Sequence, residues 1–207
     1  MQKNQVIPQS MKAWVLEGPG KDLTLHSLPT PSLQPGQLLI ALEAASLNHR
    51  DLWITKGKYH QMSYPVVPGS DGAGEVVAVA SDENQAWLGK KVLINPSLNW
   101  GPDRSGQGPD FQILGMPSQG TLAEYIAIDR ENVYPLPEGY DSCHASALPL
   151  AGLTAFRALF YRGGLIAGQK LLITGIGGGV ASYLLLFGIR SGAQVYVSSS
   201  SQEKIDK

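Results

Sequence analysis

A cluster of glycines late in the chain has the residue types and spacing of a phosphate-binding turn. An apolar run of strand length, residues 171–174, is followed by Gly175, Gly177, Gly178 and Gly179. Val180 occupies the third glycine's place in the motif Gly-x-Gly-x-x-Gly, and a helix-like apolar pattern then begins. Glycines let a backbone approach a pyrophosphate, whose charge the N–H groups of a helix N-terminus attract. The stretch predicts a dinucleotide site, although an ordinary glycine-rich turn is the alternative.

The residues after the next predicted strand favour NADP(H) as the cofactor. NAD sites usually carry an Asp or Glu about 20 residues beyond the glycines, where the carboxylate accepts a hydrogen bond from the ribose 2′-hydroxyl. This chain has Ser198 and Ser199 there, within a run of four serines, and Lys204 shortly afterwards. Hydroxyl donors and an ammonium group suit a 2′-phosphate, which a carboxylate would repel. A serine-rich loop with a solvated lysine is the competing interpretation.

The elements that must position these residues fall into two parts. From Met11 to about Ile128, short apolar runs alternate with glycine and proline, which is typical of a barrel-like or sandwich-like β domain. Beyond residue 137 the pattern predicts two helices, then a strand, a helix and a second strand over residues 170–197. Such a βαβ unit has parallel strands and a right-handed crossover. We therefore predict domains over residues 11–137 and 138–207.

Five sequence blocks, taken in order, resemble the medium-chain dehydrogenase/reductase superfamily. The resemblance is closest to its zinc-independent, quinone-oxidoreductase-like branch, which is also described as zinc-type alcohol dehydrogenase-like. The blocks lie at residues 45–52 with 56–57, and at 65–76, 120–125, 148–155 and 171–181. The resemblance implies a GroES-like β domain followed by a Rossmann domain, with the active site in the cleft between them. Because a full dinucleotide-binding sheet has two βαβαβ halves, the Rossmann sheet in this chain is expected to be incomplete.

The same resemblance implies a reaction without zinc. Zinc alcohol dehydrogenases place a Cys where this chain has Asn48, and a His-Glu pair where it has Ser70 and Asp71. A catalytic zinc takes three protein ligands and keeps one open position, and both replacements remove a ligand. Because Cys143 is the single cysteine, the four-cysteine structural zinc lobe also has no counterpart. We expect no metal site.

Without a metal, hydrogen-bond donors must stabilise the oxyanion that develops on the substrate. By resemblance to the family's cleft, the predicted catalytic residues are Asn48, Tyr59 and Ser70, with Tyr64 as a further candidate. Asn48 is the strongest of them, because it occupies the former ligand position and its amide can donate to a carbonyl oxygen. Tyr59 has packing as its alternative role.

The resemblance also assigns cofactor contacts outside the glycine turn. His49 and Arg50 lie where the family contacts cofactor phosphate, and we expect His49 to position the cofactor rather than to act as an acid. Asp51 is expected to be structural, as a cap or ion-pair partner. Thr154 follows a segment that reaches the nicotinamide end of the cofactor in the family. An ordinary helix position is the equal alternative for Thr154.

Composition excludes some partners. A formal net charge of −1 over 207 residues gives no electrostatic basis for binding nucleic acid or an anionic membrane. No apolar run is long enough to cross a bilayer. The polar start at residues 1–5 does not resemble a signal peptide, so a cytoplasmic location is expected.

Together these features predict an NADPH-dependent oxidoreductase that transfers a hydride to a quinone or an α,β-unsaturated carbonyl. Its expected partners are small carbonyl, enone or quinone substrates. Family members are often dimers, so a homodimer is a further expectation. One rival hypothesis is a truncated, non-catalytic product that acts through protein contacts, because an unfinished sheet exposes an apolar edge. Another is a zinc alcohol dehydrogenase with replaced ligands.

Overall fold

The computed structural model describes residues 6–206, and the chain divides into two compact units, residues 1–149 and 150–207. Residues 1–5, on which the expectation of no signal peptide depends, lie outside the described residues, as does residue 207. Both units have the predicted fold class: the first is rich in antiparallel strands, and the second pairs two parallel strands with helices.

The first unit is built from short antiparallel strands. They are β1 (Ser10–Val15), β2 (Thr24–Pro29), β3 (Gln37–Ser46), β4 (Asp71–Val79), β5 (Lys91–Ile94), β6 (Ser97–Leu98), β7 (Gln112–Ile113), β8 (Tyr125–Asp129) and β9 (Val133–Pro135). Five of them form a sheet in the order β8-β3-β4-β5-β9, while β1-β2 and β6-β7 are two-stranded. The polar, glycine- and proline-rich segment at residues 101–120 predicts a loop, and in the structure it contains the short strand β7.

Alternating burial explains why these segments are strands. In β1, Met11, Ala13 and Val15 are buried while the residues between them are exposed, as the two-residue period of a strand requires. In the five-stranded sheet, buried side chains such as Leu38 and Val76 pack into one cluster. Burying a side chain of this size stabilises the fold by roughly 1.5–3 kcal/mol.

Two helices complete the first unit: α1 (His49–Thr55) and α2 (Ser142–Ser146), with 3₁₀ turns at Asp82–Trp87 and Arg130–Asn132. The sequence offers Asp141 or Ser142 as the N-cap of α2, and Asp141 is the cap, because its carboxylate accepts the His144 N–H at 2.8 Å. α2 packs against β3, β4 and β5. The compact unit therefore continues past residue 137, and the domain boundary proposed there stays a prediction.

The second unit contains the predicted βαβ arrangement. Its elements are α3 (Pro149–Phe156), a π-helical turn at Arg157–Arg162, β10 (Lys170–Thr174), α4 (Gly179–Arg190), β11 (Gln194–Ser198) and α5 (Gln202–Asp206). β10 and β11 are parallel, with Thr174 opposite Ser198, and α4 packs on both strands. The carboxyl ends of the two strands therefore meet at one edge, where the glycines lie.

Candidate functional site

The glycine turn, residues 175–178, connects the end of β10 to α4. Gly175 and Gly177 have φ angles of +70° and +107°, a region that glycine adopts at little cost. The N–H groups of Gly175 and Ile176 donate to the Ser198 carbonyl at 2.9 and 3.1 Å. The turn is therefore fixed against the end of β11.

The start of α4 faces open space. Gly178 is its N-cap and has no side chain to occupy the N–H groups of the first turn, which lack partners within the helix. A Cβ atom added at Gly175 or Gly178 would meet no atom within 4 Å, whereas one added at Gly179 would lie 3.3 Å from Ala151 Cβ. Val180, in the third glycine's place, is partly exposed. Unoccupied donors beside open space fit a phosphate group.

The predicted 2′-phosphate residues lie beside this turn. The Lys204 side chain passes over Gly177, since a Cβ added there would lie 3.0 Å from Lys204 Cδ. Ser198 and Lys204 are exposed. Ser199 is half-buried, and its Oγ accepts the Ser201 N–H at 3.1 Å. The second unit thus brings the glycines, two serines and the lysine together at one edge.

Thr154 lies in α3, and its hydroxyl donates to the Leu150 carbonyl at 2.7 Å. A threonine that bonds the carbonyl four residues back is a common helical arrangement. Its contact with nicotinamide stays a prediction.

In the first unit, Asn48 is the N-cap of α1. Its backbone N–H donates to the Asp51 carboxylate at 2.7 Å, and its side-chain Nδ2 donates to Asp71 Oδ2 at 2.9 Å. Asp71 is fully buried. Because a carboxylate only accepts hydrogen bonds, it fixes the Asn48 amide with the NH2 group directed inward.

Ser70 is fully buried next to this pair. Its hydroxyl donates to the Leu114 carbonyl at 2.8 Å and accepts an N–H from Arg50. Because that proton is committed to a backbone carbonyl, a catalytic role for Ser70 as a donor requires a rearrangement. The role stays a prediction.

The Arg50 side chain connects two of the predicted catalytic residues, Ser70 and Tyr59, through hydrogen bonds. Only 9% exposed, it donates to the carbonyls of Leu114 at 2.7 Å and Met116 at 3.3 Å, besides Ser70. Its Nε donates to the Tyr59 hydroxyl at 3.2 Å, and its Cζ lies 4.6 Å from the Tyr59 ring centroid.

The resemblance implied that Arg50 contacts a cofactor phosphate. In the structure its guanidinium is instead held inside the first unit by these hydrogen bonds. The sequence carried one signal of an inward-facing side chain at this position: an apolar residue, Ile54, stands four residues later on the same helix face. In the structure Ile54 is fully buried. His49 is exposed, with its ring centroid 5.5 Å from that of Trp53. Its position leaves it accessible to a ligand.

Burial changes the pKa of one carboxyl group in α1, that of Asp51. Burial raises the pKa of the Asp51 carboxyl, and the Asn48 N–H and the Arg50 charge oppose this rise only in part.

Within residues 6–206, no three His, Cys, Asp or Glu side chains are grouped so that they could hold a metal ion. The absence of catalytic zinc stays a prediction. No helix in the described part of the chain is long and apolar enough to cross a membrane.

The fold, together with the similarity to known proteins, defines the class of this protein. Residues 34–138, half of the chain, match the family of the alcohol dehydrogenase GroES-like domain. The chain belongs to the medium-chain dehydrogenase/reductase superfamily, and to its zinc-type alcohol dehydrogenase-like members.

Individual relatives support the same assignment. The chain is 39% identical to zinc-type alcohol dehydrogenase-like protein YogA of Leptosphaeria maculans, over 89% of this chain and 54% of that protein. It is 33% identical to an Arabidopsis thaliana chloroplastic NADPH-dependent alkenal/one oxidoreductase, over 97% and 50%. A solved NAD-dependent alcohol dehydrogenase aligns with a TM-score of 0.84 at 31% identity, over 95% and 60%. The chain spans about half the length of the curated relatives it matches.

Proposed function

We propose that this chain belongs to an NADPH-dependent reductase of α,β-unsaturated carbonyls or quinones that works without catalytic zinc. The observation that carries the proposal is the position of Lys204 over Gly177, beside Ser198 and the uncapped start of α4. When bound, NADPH supplies a hydride to the substrate. The substrate class is supported by the Arabidopsis relative, which is an NADPH-dependent alkenal/one oxidoreductase by name.

Each group at the edge of the second unit has a role in holding the cofactor. The glycine turn and the first N–H groups of α4 would bind the pyrophosphate. Lys204, Ser198 and Ser199 would bind the 2′-phosphate, where an NAD site has a carboxylate. Names of similar proteins include both NADPH and NAD, so we base the proposed preference on these side chains.

In the first unit, neutral donors replace a metal. Asn48 and Tyr59 would stabilise the oxyanion, because donors fixed in advance need no reorganisation during the reaction. Asp71 fixes the Asn48 amide, which has a second N–H left to donate.

The cofactor preference is tested by substituting Lys204. Lys204→Ala is expected to weaken NADPH binding about tenfold, which corresponds to about 1.4 kcal/mol, with NADH binding unchanged. Lys170→Ala is the matched control, since Lys170 is an exposed lysine of the same unit. Calorimetric titration with both nucleotides is the measurement. Equal losses for NADPH and NADH would contradict a 2′-phosphate contact.

The reaction is tested by following NADPH absorbance with a panel of enones and quinones, together with metal analysis. We expect turnover that persists after treatment with a chelator. Stoichiometric zinc, or intact NADPH binding without oxidation by any substrate of the panel, would refute the proposal.

A further inference from the structure

Arg50 is a buried cation that approaches mainly neutral groups. Its four directed hydrogen bonds go to the Tyr59 hydroxyl, the Ser70 hydroxyl and the carbonyls of Leu114 and Met116. Taking a charge out of water is costly unless hydrogen bonds replace the lost hydration. Four bonds and the face of an aromatic ring supply that replacement here.

These bonds tie together parts of the chain that are far apart in sequence. The carbonyls of Leu114 and Met116 are 64 and 66 residues from Arg50, Ser70 is 20 away and Tyr59 is 9 away. A planar guanidinium fixes several acceptors in one geometry, which a lysine ammonium does not. Arg50 therefore sets the position of Tyr59 relative to β4 and the 114–116 segment.

The direction of the Tyr59 bond determines what its hydroxyl can do. Arginine has no acceptor, so Nε donates and the phenol oxygen accepts. The phenol proton remains available. Tyr64 is the contrast, because its hydroxyl donates to the Ile54 carbonyl at 3.2 Å. Tyr59 is half-buried, with Arg50 on its inner side.

From this geometry we infer that Arg50 is a positioning residue that holds Tyr59 as the proton donor of the proposed reduction. The inference rests on the proposed function. Hydride addition to the β-carbon of an enone reduces the alkene, oxidises the nicotinamide by two electrons and leaves negative charge on the carbonyl oxygen. The Tyr59 O–H bond then breaks, and its proton goes to that oxygen.

Arg50 also acts after this proton transfer. The phenolate left on Tyr59 keeps the Arg50 Nε–H as its hydrogen-bond donor, and a bond to a charged acceptor is stronger than one to a neutral acceptor. Solvent returns a proton to Tyr59, and the enol becomes the saturated carbonyl. The overall reaction consumes one enone, one NADPH and one proton.

The kinetic test is a double-mutant cycle in the full-length protein. Tyr59→Phe is expected to lower kcat about 100-fold, the range typical of a lost general acid. Arg50→Met is expected to lower kcat to a similar extent with KM within about twofold, and the double variant to lose little more. Residues that act as one unit show such non-additivity. Arg130→Met is the matched control, because Arg130 also stacks on an aromatic ring, that of Trp87, and bonds a carbonyl, that of Val133.

A second measurement does not depend on turnover. In NMR spectra of ring-labelled tyrosine, the Tyr59 signals are assigned by their loss in Tyr59→Phe. Arg50→Met should shift these signals, and Arg130→Met should leave them in place. Arg50→Lys, which keeps the charge, serves both measurements if the methionine variant does not fold, and its kcat should remain well below that of the wild type.

The outcomes separate the two proposals. A wild-type protein that oxidises no NADPH with any enone or quinone overturns the proposed function and this inference with it. Additive losses in an active protein, or unmoved Tyr59 signals, overturn the inference alone. Non-additive losses with shifted signals support it.

Discussion

Two groups of glycines in this chain differ in what an added side chain would meet. Around β4, a Cβ atom added at Gly74 or Gly120 would lie under 3.0 Å from a backbone carbonyl oxygen, that of Ala41 or Gly69. In the second unit, a Cβ atom added at Gly175 or Gly178 would meet nothing within 4 Å. The first region needs glycine so that backbone can pack on backbone. The second has unfilled space around its glycines.

The polar residues follow the same division. Ser70 and Asp71 are fully buried, and their hydrogen bonds are made within the first unit. Ser198 and Lys204 are exposed beside the glycine turn. Polar side chains are therefore buried in hydrogen bonds in one unit and exposed beside a glycine turn in the other. Substitutions that separate stability from nucleotide binding test this comparison.

The largest effect is expected at Gly74. Because β4 is paired with strands on both sides, it cannot move away from Ala41 to admit a methyl group. Gly74→Ala is expected to lower the free energy of unfolding by about 3 kcal/mol, at the upper end for overpacking. Denaturant unfolding measures it. Gly106→Ala is the control, since a Cβ atom there meets no atom within 4 Å, and equal stability of the two variants would contradict the comparison.

A smaller effect, on a different quantity, is expected at Gly178. Gly178→Ala should change the free energy of unfolding by no more than about 0.5 kcal/mol, as at other uncrowded positions. Its methyl group would keep a pyrophosphate from the turn, so NADPH affinity should fall about tenfold, or about 1.4 kcal/mol. Calorimetric titration and denaturant unfolding of one preparation measure both quantities. A loss of stability with unchanged affinity would reverse the roles assigned to the two regions.

The smallest effect is a dependence of stability on pH. Burial raises the pKa of Asp51 above its ordinary value of 3.8, so the folded chain binds that proton more tightly than the unfolded chain. Its contribution to stability is therefore present in acid and is lost as the pH rises through the folded pKa. Asp51→Asn keeps an oxygen for the Asn48 N–H but does not titrate.

Unfolding free energies of wild type and Asp51→Asn, measured from pH 3 upward, should differ in slope just above the ordinary aspartate range. The wild type should lose stability relative to the variant as the pH rises. Parallel curves would show that the carboxyl is not held in a desolvated environment.

Much of the second unit was predictable because its signals are local. The apolar run at β10, the glycines and the helical pattern of α4 lie within about twenty consecutive residues, and the parallel pairing follows from the βαβ connection. A cap for α2 at Asp141 or Ser142 was predictable for the same reason, since a cap acts within one turn, and the structure has Asp141 as the cap. The GroES-like fold of the first unit followed from the resemblance.

The hydrogen bonds around Asn48 and Ser70 were not predictable from local patterns. Resemblance predicts both residues as donors in a cleft. In the structure Asp71 accepts one of the two Asn48 amide N–H groups, and the Leu114 carbonyl accepts the Ser70 hydroxyl proton. A backbone carbonyl has no sequence signature, and Leu114 is 44 residues from Ser70. Which donors are committed depends on these distant contacts.

The sequence by itself determined the order of elements, the glycine turn after β10 and the residues that follow it, because hydrophobic period, glycine spacing and helix caps act over a few residues. Tertiary structure alone decided that Arg50 faces inward to four acceptors and that the glycines of β4 serve packing. The physical reason is distance along the chain: those contacts exist only after segments far apart in sequence have packed together.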